Sequence, residues 1–317
     1  MTKKPNHLLR AGTALAVGAA LCVTTQNAGA QIYVYSQDSN NGANAIVGAY
    51  NYNGSAINSS LITGLSFNPY IINNVAVSDT ALYVYNPGAS GYYSEYSFSG
   101  ATVNANLTGA FGWSGGAAVY GGDLYIANYI GNTVGSYNAT NGAAINASLI
   151  ASLQTPYGPV VSGGHIYVAN KGNGTVGEYN LDGSVVNAAL ISGLTSPSDL
   201  SVANAYLYVS SLGAGSQGKV GKYDATTGAA VNAALVTGLG SGGQEIAVSG
   251  NSLYVAQGST VAEFNATSGA LVNSSLITGL LNTEGIVTAV TPVPEPSTLA
   301  LSALGSLTLF WPLRRRK

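Results

Sequence analysis

Residues 158–194, GPVVSGGHIYVANKGNGTVGEYNLDGSVVNAALISGL, hold four short apolar runs, each closed by a turn signal. Val160-Val161-Ser162 stops at Gly163-Gly164, and Ile166-Tyr167-Val168-Ala169 stops at Asn170 and a glycine-rich loop. Thr175 to Tyr179 is broken by Asn180-Leu181-Asp182-Gly183, and Val185 to Leu194 ends the unit. β-Branched and aromatic side chains suit a pleated strand, whereas Gly, Asn and Asp adopt the dihedrals of tight turns. The spacing therefore predicts a four-stranded antiparallel meander, with strands A to D in chain order.

The unit recurs along the chain. Strand B repeats around Tyr33, Tyr83, Tyr125, Tyr167, Tyr208 and Tyr254, and strand C ends in Tyr50, Tyr96, Tyr137, Tyr179, Tyr223 and Phe264. Strand D repeats as INSSLITGL, VNANLTGA, INASLIASL, VNAALISGL, VNAALVTGL and VNSSLITGL. Six copies at a period of about 40–50 residues predict an all-β fold, a six-bladed β-propeller of four-stranded antiparallel blades. The first copy lacks a strand A, and Gly285 to Val290 is an orphan strand A after the last strand D. Joining them in one blade closes the ring and removes an open sheet edge.

Of 317 residues only 7% are charged, and the basic ones gather at the termini. Residues 31–291 carry three lysines against eleven carboxylates, a net charge near −8. Such a surface has no electrostatic footprint for nucleic acid. The start of the chain reads as an export signal over residues 1–30. Lys3, Lys4 and Arg10 form its positive region, Ala11 to Val23 its apolar core, and Ala28-Gly29-Ala30 its cleavage site, with the cut after Ala30. Leu21 stands before Cys22 where a lipoprotein signal needs a small residue, so Cys22 leaves with the signal. The mature chain then has no thiol for disulfides, catalysis or metal binding.

At the other end, Val293-Pro294-Glu295-Pro296 precedes an apolar stretch from Ser297 to Leu313 and then Arg314-Arg315-Arg316-Lys317. The stretch is at the short limit for a membrane helix, and the basic cluster marks its cytoplasmic end. This tripartite tail, residues 292–317, resembles the PEP-CTERM sorting signal of Gram-negative bacteria that make exopolysaccharide. The resemblance implies recognition by an exosortase-type sorting protease and a cut near Pro294, Glu295 and Pro296. It also implies an inner-membrane intermediate, held by the C-terminal helix, and delivery to the cell surface or extracellular matrix. The body between, residues 31–291, resembles NHL-like and YVTN-like propellers and lactonase-like ones. The catalytic His and metal-binding acidic sets of the enzymes among these have no counterparts here.

Function is sought where the copies differ. The Asn of strand D (Asn58, Asn104, Asn146, Asn187, Asn232, Asn273) occurs in every copy and is read as a blade-edge hydrogen bond rather than a site. The D–A loops differ: Phe67 and Tyr70, Phe111 and Trp113, then Tyr157 supply aromatic rings in three of them. Such rings suit stacking on sugars or gripping a protein partner; the plainer expectation is that they fold back and plug the channel mouth. Asp199, Glu245 and Glu284 come just before successive strands A. They either converge near the axis or, as the simpler expectation, stay separate and solvated. His165, in an A–B turn on the opposite face, is the one histidine after the signal. A Ser/His/Asp arrangement or a histidine zinc site is therefore not expected, and no cofactor or metal is implied.

The residues favour an exported, non-catalytic propeller that binds exopolysaccharide or a surface protein. Candidate ligand contacts are Tyr70, Trp113, Tyr157, Asp199, Glu245 and Glu284. The alternative is an extracellular hydrolase or lyase acting on a glycan or peptide through loop-face carboxylates, and a third reading is a matrix component without a defined ligand.

Overall fold

A computed structural model describes residues 31–68, 75–88, 91–110, 112–241 and 244–289. The export signal with Ala30, Tyr70, Phe111, and the tail with Pro294, Glu295 and Pro296 lie outside the described residues.

The strands run in chain order. The first seven are β1 (Gln31–Gln37), β2 (Asn44–Asn51), β3 (Ala56–Ser66), β4 (Val75–Val77), β5 (Leu82–Asn86), β6 (Tyr92–Tyr96) and β7 (Thr102–Asn104). Next come β8 (Ser114–Tyr120), β9 (Asp123–Asn128), β10 (Thr133–Asn138), β11 (Ala144–Ile150), β12 (Pro156–Ser162), β13 (His165–Asn170), β14 (Thr175–Asn180) and β15 (Val185–Ile191). The last nine are β16 (Thr195–Ala203), β17 (Tyr206–Leu212), β18 (Gln217–Asp224), β19 (Ala230–Ser241), β20 (Glu245–Ser249), β21 (Ser252–Gln257), β22 (Thr260–Asn265), β23 (Leu271–Ile277) and β24 (Thr283–Ala289). They form six four-stranded antiparallel sheets, the blades of a propeller ring. Blades 2 to 6 are sequential meanders; blade 1 has the order β24-β1-β2-β3, with Gln31 opposite Ala289 and Val34 opposite Ile286.

Six apolar clusters seal the six gaps between neighbouring blades. Within β1, Tyr33 and Tyr35 pack toward blade 2, whereas Ile32 and Val34 pack toward blade 6. A strand B thus faces a neighbour on both sides, which is why IYVY and LYVY are continuously apolar rather than alternating. Strand A lines the axis. Ala76, Ala118, Val160, Ser201, Ala247 and Val287, one from each blade, face a central channel of about 330 Å³.

The repeated motifs have local physical causes. Each strand D asparagine accepts a hydrogen bond at its Oδ1 from the N–H two residues on, at 3.0–3.2 Å in all six blades. In five blades the ladder to strand C skips residues beside this turn, as between Ala49↔Asn58 and Val47↔Ile62. The asparagine thus makes a hydrogen bond at the blade edge, as expected, and that bond sits at an edge bulge. In the G-x-Y motif the Tyr ring folds back over the glycine: a Cβ on Gly48, Gly135, Gly177 or Gly221 would lie within 2.6–2.8 Å of it.

One strand departs from the expected repeat. Strand D of blade 2 is only Thr102–Asn104. Here Thr108 replaces the Ile or Val of the other copies, and its Oγ1 accepts the Tyr93 N–H at 3.0 Å. A side chain thereby takes a bond that a ladder carbonyl would otherwise receive.

The C–D turn glycines Gly54, Gly100, Gly142, Gly183, Gly228 and Gly269 all have positive φ, and a Cβ on each would overlap a backbone carbonyl of the preceding blade's strand D. For Gly228 (φ +69°) the neighbour is Leu190, whereas Gly193 (φ +74°) has open space where a Cβ would go. Gly193→Ala is expected to cost about 1–2 kcal/mol from left-handed backbone strain alone. Gly228→Ala should cost clearly more, because the blade contact must also shift. The midpoints of urea unfolding check this; equal losses would show that the contact contributes nothing.

Candidate functional site

Trp113, just before β8, is 42% exposed at the mouth of the ring formed by the D–A and B–C loops. Its ring stacks on Tyr129 of the B–C loop, with centroids 6.5 Å apart and planes 24° apart. Tyr129 in turn meets Tyr157 edge-on at 5.2 Å, and Lys171 Nζ lies 4.7 Å above the Tyr157 ring. The row descends from solvent into the protein, for Tyr157 is 5% exposed.

The segment that carries Trp113 is pinned at three successive residues. The Tyr85 hydroxyl donates to the Gly112 carbonyl, and the Tyr129 N–H donates to the Trp113 carbonyl at 3.2 Å. The Ser114 and Tyr93 hydroxyls are hydrogen-bonded at 2.7 Å, and Ser114 Oγ also accepts the Gly116 N–H. Burial pushes Tyr85 up to about 12 and raises Tyr93 as well, so both hydroxyls stay neutral. Other blades have Ala or Ser at the Tyr85 position, apart from Tyr35, and Val at the Tyr93 position. The platform is thus preorganised, which lowers the ordering cost of binding.

The sequence candidates separate in the structure. Trp113 is exposed as a ligand contact requires. Tyr157 instead lies in strand β12 and packs between blades 4 and 5 rather than across the channel mouth, and Phe67 packs partly buried against the core between blades 1 and 2. The expectation of separate, solvated carboxylates fails: Asp199, Glu245 and Glu284 are only 5%, 2% and 8% exposed and belong to β16, β20 and β24. Strand A starts earlier than its apolar run, so these residues lie inside a ladder rather than in a loop. Asp199 ties two blades together, accepting the Leu200 N–H at 2.8 Å and the Ile246 N–H at 2.7 Å. Among the described residues no group of three or more His, Cys, Asp or Glu is placed to hold a metal ion. His165 Nδ1 lies 3.4 Å from Glu178 Oε1 at the opposite end of the blade.

Glu284 sits at the register shift between Tyr35↔Gly285 and Ser36↔Thr283, in the ladder that closes blade 1. Its Oε2 is buried with no hydrogen-bond partner among the described residues, and burial pushes its carboxyl up to about 8. Its charge in turn raises Tyr35, after burial, and contributes to raising Tyr157. Burial lowers Lys171, while the Glu245 charge opposes that shift. Tyr129, Tyr85, Tyr93 and Lys171 were not among the sequence candidates. Tyr85 and Tyr93 announce themselves where the repeat has small residues; Tyr129 and Lys171 become visible only once the B–C loops of blades 3 and 4 are set side by side.

Residues 292–316 match the PEP-CTERM protein-sorting motif. The chain carries a PEP-CTERM sorting signal. It is therefore an exported protein, recognised by an exosortase and sorted to the cell envelope. Among the described residues no helix is long and apolar enough to cross a membrane, and the tail lies beyond them. No curated protein matches in sequence. Solved structures similar to the propeller include a chain of the nidogen/laminin complex, with TM-score 0.60, 12% identity, and coverage of 83% of this chain and 99% of that one. A putative 6-phosphogluconolactonase from Bacteroides fragilis gives TM-score 0.57 at 14% identity over 84% and 99% of the two chains. A gluconolactonase from Xanthomonas campestris gives 0.53 at 18% identity over 66% and 76%. At these identities the likeness is one of fold.

Glu284 predicts a pH dependence of stability. Its carboxyl titrates near 8 when folded against an ordinary value of 4.5, so between these the folded state holds a proton that the unfolded state has lost. Its contribution makes stability fall as pH rises from about 4.5 to about 8, by roughly 5 kcal/mol, and level off above. Glu284→Gln should remove that slope and be the more stable form at pH 8. Parallel stability–pH curves for the two proteins, from urea unfolding, would refute the assignment.

Proposed function

We propose that this exported propeller is a non-catalytic binding module that grips a polysaccharide through the Trp113–Tyr129 platform. One observation carries this reading: an exposed tryptophan backed by a stacked tyrosine on a segment fixed at three successive residues. A flat aromatic surface held rigid at a rim suits the apolar face of a sugar ring, and Lys171 sits at the buried end of the row. On this reading the chain, led by an export signal ending at Ala30 and held by its apolar tail, stands first in the inner membrane. The exosortase cut then delivers it to the cell surface or extracellular matrix of a Gram-negative, exopolysaccharide-making bacterium. A surface protein is the other partner of this chemistry.

A second reading, glycan or peptide cleavage by an extracellular hydrolase or lyase, draws on Glu284. A carboxyl that keeps its proton to about pH 8 is a general acid in waiting. Against it, both carboxyl oxygens of Glu245 and Oε2 of Glu284 are closed off from solvent.

The test is equilibrium binding of the mature chain to the host's own exopolysaccharide and to a glycan panel. Trp113→Ala combined with Tyr129→Ala should weaken binding at least about tenfold, since losing an aromatic anchor costs about 2 kcal/mol or more. Unchanged affinity in the double variant removes the platform as the site. Release of sugar by wild type but not by Glu284→Gln would establish the second reading.

A further inference from the structure

Both ends of the propeller leave it from one face. β1 starts at Gln31 and β24 ends at Ala289, and these residues are partners in one ladder. Gln31 also pairs with Asn51, where strand C runs into its turn, so both ends lie among the A–B and C–D turns. Ala289 lines a cavity of about 700 Å³ with Asp79, Tyr120 and Thr140 from the turns of blades 2 and 3. The platform is at the other end of the strands. Blade 3 pairs Ser114 with Asn128 beside Trp113 and Tyr129, and Tyr120 with Asp123 at the turn.

We infer that the membrane-held precursor stands on the A–B and C–D turn face and presents the Trp113 platform away from the bilayer. The inference rests on the proposal that the apolar tail spans the membrane. Residues 290–296 alone separate Ala289 from the apolar stretch. At about 3.3–3.6 Å per residue they reach roughly 25 Å at most. A seven-residue strand such as β8 or β24 is itself about 24 Å tall. β24 is the innermost strand, so the tether would also have to cross three strand spacings, about 14 Å, to round the blade. It is too short to lay the platform against lipid. The exit face also carries the carboxylates Asp79, Asp123, Asp182 and Asp224. Like charge keeps it off close contact with anionic headgroups. Ligand is then engaged both before and after the tail is cut.

The test uses residues 31–317, the membrane-held chain without its export signal and free of cysteine, reconstituted into vesicles with an acceptor dye on the lipid headgroups. Donor dye is placed at Thr140→Cys in a C–D turn or at Ile130→Cys in a B–C loop, both exposed positions in blade 3. Strand β10 sets them about 20 Å apart, and energy transfer from the Thr140→Cys site should be about twofold greater. Equal or reversed transfer overturns the inference. Failure of the wild-type chain to float with the vesicles overturns the membrane-held reading itself, and the inference with it. Adding Trp113→Ala must leave the order of transfer unchanged, since orientation depends on the tether and not on the ligand.

Discussion

The ladder between Gln31–Ser36 and Thr283–Ala289 is the constraint on which the rest of the structure depends. Without it, blade 1 would lack its inner strand and the chain would be an open arc with two unsealed blade faces. With it, Ile32 and Val34 pack with Tyr254 and Val261 across the gap to blade 6. On the outside, Gly54 of blade 1 seats against the Leu276 carbonyl of blade 6 just as Gly100 seats against Leu61. The seam therefore has the same chemistry as the five continuous joints, which lets a chain without disulfides close a ring by packing and hydrogen bonds alone.

Repetition frees a few positions to differ. Once closure and the six interblade clusters are satisfied, a single blade can give up ladder regularity. Blade 2 does so, replacing Ala by Tyr85, Val by Tyr93 and the strand D Ile by Thr108. The first two hydroxyls reach across the blade gap to Gly112 and Ser114. They convert what is a packing position elsewhere into a support for the Trp113 segment. The asymmetry of the mouth is thus built from core positions, one layer beneath the exposed ring.

The fold was legible because its signal is redundant: the Tyr of strand B, the G-x-Y of strand C and the Asn of strand D each mark the same period for a local steric or hydrogen-bonding reason. The carboxylates were misread because strand A begins before its apolar run. Register shifts between Tyr157 and Val160, and between Thr195 and Asp199, extend the ladder into residues that look like a loop. Burial of Asp199, Glu245 and Glu284 follows from the ring around them, which no local window contains. Trp113 was legible as a departure from the repeat; its partner Tyr129 was not, since stacking across a loop pair is a property of the assembled blade.

Tyr157 is where the two halves of the mouth meet. On one side it receives the edge of Tyr129 and lies under the Lys171 ammonium. On the other, its hydroxyl feels Glu245 and Glu284 strongly enough that both raise its pKa beyond the effect of burial. With Glu284 protonated at neutral pH, the junction holds one half-buried cation close to Glu245, without a second full negative charge. The aromatic row reaches solvent at Trp113, its most exposed ring.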